Sequence, residues 1–142
     1  GIRRYWKVRR VTEQRQLIKR IDVRMKIELP VQFMQDTWAL NSDGEIDKEQ
    51  GQTIDISNNG LAVYMNHWFD VGESCIFTLP RIGTVSSGQK SHDVVGVVCW
   101  MRELPKGGVF RFVAGIQLRF ADLEERKQMQ EYVAYVKKRY KL

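Results

Sequence analysis

The sequence predicts a mainly β protein: a small six-to-seven-stranded antiparallel barrel with a basic N-terminal arm and one C-terminal helix. Short apolar runs with a period of two recur between Gly-, Pro- and Asn-containing turns, the pattern of a small closed barrel that leaves no exposed sheet edge. After residue 121 the period lengthens to that of a helix. The length of 142 residues and a hydrophobic share of 43% suit one domain with a core of its own.

Residues 1–18 read as a basic arm or linker ahead of a domain at 19–142. Within residues 1–20, eight Lys and Arg stand against Glu13 alone, a net charge of +7. The whole chain carries +6, so the remaining 122 residues balance to −1. A nucleic-acid-binding domain spreads its cations over a face of the fold. A terminal arm instead suits a compact polyanion, an anionic membrane leaflet or a gripped duplex. Tyr5 and Trp6 among these cations also fit a membrane interface.

From Ile21 the apolar residues alternate through Val23, Met25, Ile27, Leu29, Val31 and Phe33, which indicates a half-buried strand. Pro30 lacks an amide donor and requires either an edge position or a break into two strands. Trp38-Ala39-Leu40 extends the hairpin, and Asn41-Ser42-Asp43-Gly44 ends it with a turn. Strands are expected at about 50–56 and 60–65. Between them lies a polar turn whose Asn58, Asn59 and Gly60 let the chain reverse. Asp70-Val71-Gly72 is a second turn, followed by a strand over Ser74–Leu79 that Pro80 stops. Residues 81–92 are rich in Gly and Ser and read as a flexible loop. The run Val94–Met101 has the β-branched content of a strand buried on both faces or strongly twisted. Pro105-Lys106-Gly107-Gly108 forms a hairpin turn, and Val109–Phe120 returns as the partner strand. A helix over about 122–141 opens with Asp122 and Glu125 as a capping box. Its stripe of Met129, Tyr132, Val133, Val136 and Tyr140 packs on the barrel. Lys137, Lys138, Arg139 and Lys141 complement its dipole.

Several chemistries have little support. Cys75 and Cys99 lie in apolar runs without CxxC spacing, which predicts two buried free thiols in a reducing compartment. His67 and His92 have no companion at ligand spacing, so neither a metal centre nor a Cys/His nucleophile is expected. Asp55 and Ser57 have no His or Lys base nearby in sequence, and no paired-carboxylate pattern appears, so no catalytic residue is assigned. No run of about 18 apolar residues is present to cross a membrane. The opening on Gly1 rather than Met raises the expectation of a domain cut from, or docked to, a larger machine.

Two clusters carry the functional reading. Arg20 and Arg24 make an RxxxR spacing just before the first strand, with Lys19 in front. Asp55-Ile56-Ser57-Asn58-Asn59-Gly60 fills the turn between the next two strands. The pair, in this order, resembles the signature of PilZ domains, bacterial receptors for cyclic di-GMP, in which RxxxR precedes the barrel and [D/N]xSxxG closes such a turn. The likeness runs from about residue 19 to the helix. It includes Glu28-Leu29-Pro30-Val31, Val98-Cys99-Trp100, and Ala114-Gly115-Ile116-Gln117-Leu118-Arg119-Phe120, which is similar to the family's late GIxF strand.

The resemblance implies a non-catalytic receptor whose ligand is cyclic di-GMP, with no further cofactor and no metal. Arg20 and Arg24 would grip phosphates or guanine O6 and N7 with planar forks. Asp55 would accept from guanine N–H groups or orient an arginine, and Ser57 would bind a phosphate or a guanine edge. Gly60 would keep the backbone close to the ligand. A basic residue before RxxxR favours an intercalated pair of ligands in this family, which makes Lys19 a candidate contact, although Lys has no fork to stack on guanine. Arg102, Arg111 and Arg119 read as solvated strand residues rather than contacts. The implied partners are a protein effector or flanking domain, in a cytoplasmic protein or the cytosolic part of a membrane-associated one. No nucleic acid polymer is expected. Ordering of the arm would regulate a motility or exopolysaccharide-synthesis machine, with the domain as the regulatory part of an enzyme such as a polysaccharide synthase in one version. The alternative is a nucleotide-independent PilZ-type protein-interaction module, whose known examples usually lack the arginine motif. RNA binding by a barrel with a basic arm is a third reading.

Overall fold

The computed structural model describes residues 24–36, 48–81 and 91–142. The arm at 1–18, Lys19, Arg20, the hairpin extension at 38–40, the turn at 41–44 and the stretch 82–90 of the expected loop lie outside the described residues.

Among the described residues, seven strands form one antiparallel sheet: β1 Met25–Lys26, β2 Pro30–Gln35, β3 Glu49–Ile56, β4 Gly60–Met65, β5 Ser74–Pro80, β6 Ser91–Glu103 and β7 Phe112–Arg119. The order β3-β2-β5-β6-β7-β4 closes on itself through the β3–β4 pairing, giving a six-stranded barrel. β1 is the additional strand and pairs with the far end of β3, Met25 opposite Ile56 and Lys26 opposite Asp55. The helix α1, Leu123–Arg139, follows β7.

Inward-facing residues fill the barrel at the period of two that β-strands impose. Val31, Phe33, Ile56, Val63, Met65, Phe77, Leu79 and Val98 are each 2% exposed or less. Phe33 meets the edge of Phe69 at 5.7 Å between ring centroids. α1 supplies Met129, Val133 and Val136 to the same core. Its start is the expected box: the Asp122 carboxylate accepts from Glu125 N–H at 2.9 Å, and Glu125 reaches back to accept from Ala121 N–H at 2.7 Å.

The break at Pro30 is real and is bridged to β3 by two backbone bonds, Ile27 N–H to the Ile54 carbonyl at 3.1 Å and Thr53 N–H to the Leu29 carbonyl at 2.9 Å, and by one buried hydroxyl. Pro30 begins β2, while residues 27–29 leave the ladder between β1 and β2. Thr53, fully buried on β3, donates to the Ile27 carbonyl at 2.6 Å and accepts from Leu29 N–H at 2.8 Å. Two backbone groups that no strand partner reaches are thereby satisfied, as burial demands.

Two bulges reset the side-chain phase. Between β3 and β4 the register jumps from Thr53–Val63 to Asp55–Ala62, leaving Ile54 as the extra residue. Between β6 and β7 it jumps from Val98–Ile116 to Trp100–Gly115, leaving Cys99 extra. A bulge of this kind swaps the faces of everything beyond it.

Five details of the expected fold change. β6 is not buried on both faces: Val94, Gly96 and Val98 are buried while Val95 is 39% exposed, so the run is continuous because apolar residues also stand on the outer face. The Cys99 thiol, following inward-facing Val98, is exposed rather than buried, although it is free as expected. Ser91 and His92 belong to β6, opposite Pro80 and Leu79, not to the loop. The returning strand starts only at Phe112. Val109 is 82% exposed in a connection held by the Asn66 side chain, which binds the Val109 carbonyl and the Arg111 N–H. Tyr140 caps the helix C-terminus and is 48% exposed, so it lies off the buried stripe.

Cys75 is buried, and burial, reinforced by Glu73 and Asp36, pushes its thiol pKa up to about 12, which keeps it protonated and inert. At the other end of β5, Tyr132 of α1 donates its hydroxyl to the Pro80 carbonyl at 2.6 Å and stacks on His92 at 5.1 Å between ring centroids. Burial lowers the His92 pKa, with Asp93 opposing, and His92 Nε2 has no hydrogen-bond partner among the described residues.

Thr53→Val keeps the shape and strands the Ile27 and Leu29 backbone groups. Denaturant unfolding is expected to show a loss of about 2–6 kcal/mol, at roughly 1–3 kcal/mol per unsatisfied buried group, against a change within about 0.5 kcal/mol for Thr78→Val at a partly exposed site. His92 is held neutral in the fold, so below its unfolded pKa of about 6.5 the unfolded chain binds the extra proton. The stability contributed by the neutral ring is complete above that pH and declines as pH falls toward the lower folded value. Thermal unfolding between pH 7.5 and 5 is expected to show this decline flattened in His92→Phe.

Candidate functional site

The turn between β3 and β4 is built by its own residues. Ser57 N–H donates to the Gly60 carbonyl at 2.9 Å, and the Ser57 hydroxyl accepts from Asn59 N–H at 3.3 Å and contacts the Gly60 carbonyl at 3.4 Å. Ser57 is only 1% exposed, so in this structure its hydroxyl holds the turn together from inside. The Asn59 carbonyl accepts from Leu118 N–H at 2.8 Å, tying the turn to the end of β7. A Cβ at Gly60 would stand 2.9 Å from the Ile116 carbonyl oxygen, closer than the two strands allow.

Beside this turn lies an open concavity of about 260 Å³, lined by Arg24, Asn59, Gly60, Cys99, Trp100, Gly115, Ile116 and Gln117. That is slightly below the roughly 300–1,000 Å³ of sites that enclose a drug-sized ligand. The bulge at Cys99 is what turns Trp100 outward onto this surface. Its indole lies against Gly115, where any side chain would overlap the ring. The Arg102 guanidinium sits over the same ring, 5.1 Å from its centroid.

Arg24 stands at the mouth. Its guanidinium is 3.7 Å from the Asp55 carboxylate, with the arginine side chain 59% exposed and the aspartate 19%. An exposed pair at that distance contributes between about 0 and 1 kcal/mol to stability. The pairing therefore leaves the guanidinium free to exchange a carboxylate for a stronger anionic partner. β1 fixes the spacing, because Lys26 and Met25 pair directly with Asp55 and Ile56.

Of the residues the motifs nominated, Arg24 and Gly60 line the concavity and Asp55 adjoins it through Arg24. Ser57 is buried beneath it, and Lys19 and Arg20 lie outside the described residues. Asn59, expected only to reverse the chain, also lines the space. Cys99, Trp100, Gly115 and Gln117 were not nominated. Their signal is the β6–β7 hairpin, since pairing a tryptophan with a glycine leaves room for a flat ring, but only the bulge brings the two into register. Arg102, Arg111 and Arg119 are exposed as expected, and Arg111 lies over Phe112 at 5.1 Å from its centroid. No cluster of three or more His, Cys, Asp or Glu able to hold a metal ion occurs among the described residues, and no described helix is long and apolar enough to cross a membrane.

Comparison with curated protein sequences finds no match. Among solved structures, the fold is similar to that of the Bacillus subtilis inhibitor of motility MotI/DgrA, with a TM-score of 0.57 and 16% identity over 84% of this chain and 50% of that one. It is also similar to the PilZ domain of CeSA from a cellulose-synthesising bacterium, with a TM-score of 0.53 and 16% identity over 81% and 98% of the two chains. A third is K. pneumonia MrkH in a c-di-GMP complex, with a TM-score of 0.53 and 11% identity over 80% and 50%. The chain thus spans about half the length of MotI/DgrA and of MrkH. At these identities the likeness is one of fold. The family evidence is separate: the model of the PilZ domain matches residues 13–135. The chain belongs to the PilZ domain family.

Proposed function

We propose that this domain is a receptor for cyclic di-GMP, which it binds in the concavity beside the Asp55–Gly60 turn. The observation that carries the reading is Arg24, the second arginine of the RxxxR spacing, standing 3.7 Å from Asp55, the first residue of DxSxxG. Arginine's fork suits both features of the ligand, bidentate on phosphate or on guanine O6 and N7. Asp55 orients Arg24 in the free protein and accepts from guanine N–H groups when the ligand arrives. Gly60 and the buried Ser57 shape the turn that faces it. Arg20 and Lys19 complete the grip from the arm, Lys19 favouring an intercalated pair of ligands.

Signalling follows from where the arm joins the fold. Arg24 immediately precedes β1, so ligand bound to Arg20 and Arg24 orders the arm against the barrel, and its binding free energy drives that ordering. The arm, or the surface it covers, then meets a protein effector or flanking domain at the cytoplasmic side of a membrane. Similarity in fold to an inhibitor of motility and to a PilZ domain of a cellulose-synthesising system supports a motility or exopolysaccharide-synthesis machine as the regulated target.

Titration calorimetry with cyclic di-GMP tests the reading. Binding is expected in the nanomolar-to-micromolar range, unaffected by excess oligonucleotide. Arg20→Ala, Arg24→Ala and Asp55→Ala should each weaken it by at least about tenfold, since hydrogen bonds to charged groups are worth roughly 1.5–3 kcal/mol. No binding by the intact chain overturns the reading in favour of a nucleotide-independent interaction module, and competition by oligonucleotide favours RNA. Two ligands per protomer are expected, falling to one in Lys19→Ala; a single ligand on the unmutated chain rules out the intercalated pair.

A further inference from the structure

The β7 wall of the concavity that Arg24 also lines has the chemistry to read a base. Gln117 lies in the middle of β7, paired with Gly60 on β4 and with Val97 on β6. Its backbone is held from both sides, and its exposed side chain projects from a rigid strand. Gly60, directly across, has no side chain. Gly115, two residues back on the same face, is covered only by the flat Trp100 indole. The carboxamide therefore stands beside an aromatic surface in one concavity, a combination that offers stacking and edge contacts together.

The Cys99 thiol biases how that carboxamide is used. Its Sγ lies 3.9 Å from Gln117 Oε1 and 3.7 Å from its own neighbour's carbonyl, Val97 O. The single S–H, a weak donor shared between the Val97 carbonyl and Gln117 Oε1, favours Oε1 toward the bulge and the Nε2 hydrogens toward a ligand. Guanine presents two adjacent acceptors, N7 and O6. Adenine presents the N7 acceptor next to an N6 donor, which a carboxamide with both atoms free fits bidentately. A carboxamide limited to donating matches guanine and leaves the adenine amino group facing a donor.

Resting on the cyclic di-GMP reading above, we propose that Gln117, oriented by the Cys99 thiol, is the residue that selects guanine over adenine in this concavity. Gln117 touches the base, and Cys99 is a positioning residue that acts through it.

Calorimetric titration of the full chain with cyclic di-GMP and with cyclic di-AMP tests the assignment, with thermal unfolding as the check on each variant's fold. The unmutated chain is expected to prefer cyclic di-GMP. Gln117→Leu should lower cyclic di-GMP affinity about tenfold, the scale of a base-edge contact, and leave cyclic di-AMP unchanged. Gln117→Glu should lower it further, because a carboxylate meets two acceptors. Cys99→Val frees Oε1 and should narrow the preference severalfold by improving cyclic di-AMP binding. A preference unchanged in Gln117→Leu, or cyclic di-GMP bound by Gln117→Glu as tightly as by the unmutated chain, overturns the role of Gln117 and leaves the receptor reading standing. A preference unchanged in Cys99→Val overturns the orienting role of the thiol. Failure of the unmutated chain to bind either dinucleotide overturns the receptor reading and this assignment together.

Discussion

A carboxylate cannot share a barrel interior with Phe33 and Phe77, and the bulge at Ile54 is how β3 avoids it. Gly51 and Thr53 face inward. Strict alternation would send Asp55 in after them and Ile56 out. Burying an unpaired carboxylate costs several kcal/mol, far more than leaving one strand residue unpaired. With Ile54 as the extra residue, Ile56 is fully buried and Asp55 reaches the rim. The bulge at Cys99 does the reverse service for an aromatic ring, turning Trp100 outward and letting Met101 pack toward the core. Both phase changes deliver their residues to the same side of the barrel, where Arg24 arrives from β1.

Two glycines shape the same side of the barrel. Gly60 on β4 and Gly115 on β7 have no room for a side chain, one because the Ile116 carbonyl stands too close, the other because the Trp100 indole lies over it. The concavity is a shallow place in a sheet rather than a cleft between layers. It needs a further element to enclose a ligand, which fits a weakly held cation at its mouth better than a rigid, fully paired one would.

The strands, the turns, the break at Pro30 and the capped helix were legible because period-two alternation, turn chemistry and the Asp122–Glu125 spacing are local signals. The run Val94–Met101 misled, because it is continuously apolar in sequence yet alternates in burial, with Val95 and Val97 placing apolar side chains on the outer face. Asp55 and Arg24 were legible through a paired motif. Trp100 and Gln117 were not, because their meeting depends on a one-residue shift between two strands that neither strand encodes alone. Ser57 shows the opposite limit. Its motif position suggests a contact surface, and its hydroxyl is spent on the turn.

The Thr53 hydroxyl has a mechanical meaning beyond satisfying two backbone groups. The chain enters the barrel through two ladder residues, Met25 and Lys26, and then through a gap spanned by that hydroxyl and two backbone bonds to β3. Any load applied ahead of Arg24 is carried by this short seam before it reaches β2. The seam is anchored on β3 beside Asp55, so tension on the arm and occupancy of the mouth act on one strand, and a pull from outside would be felt first where the carboxylate sits.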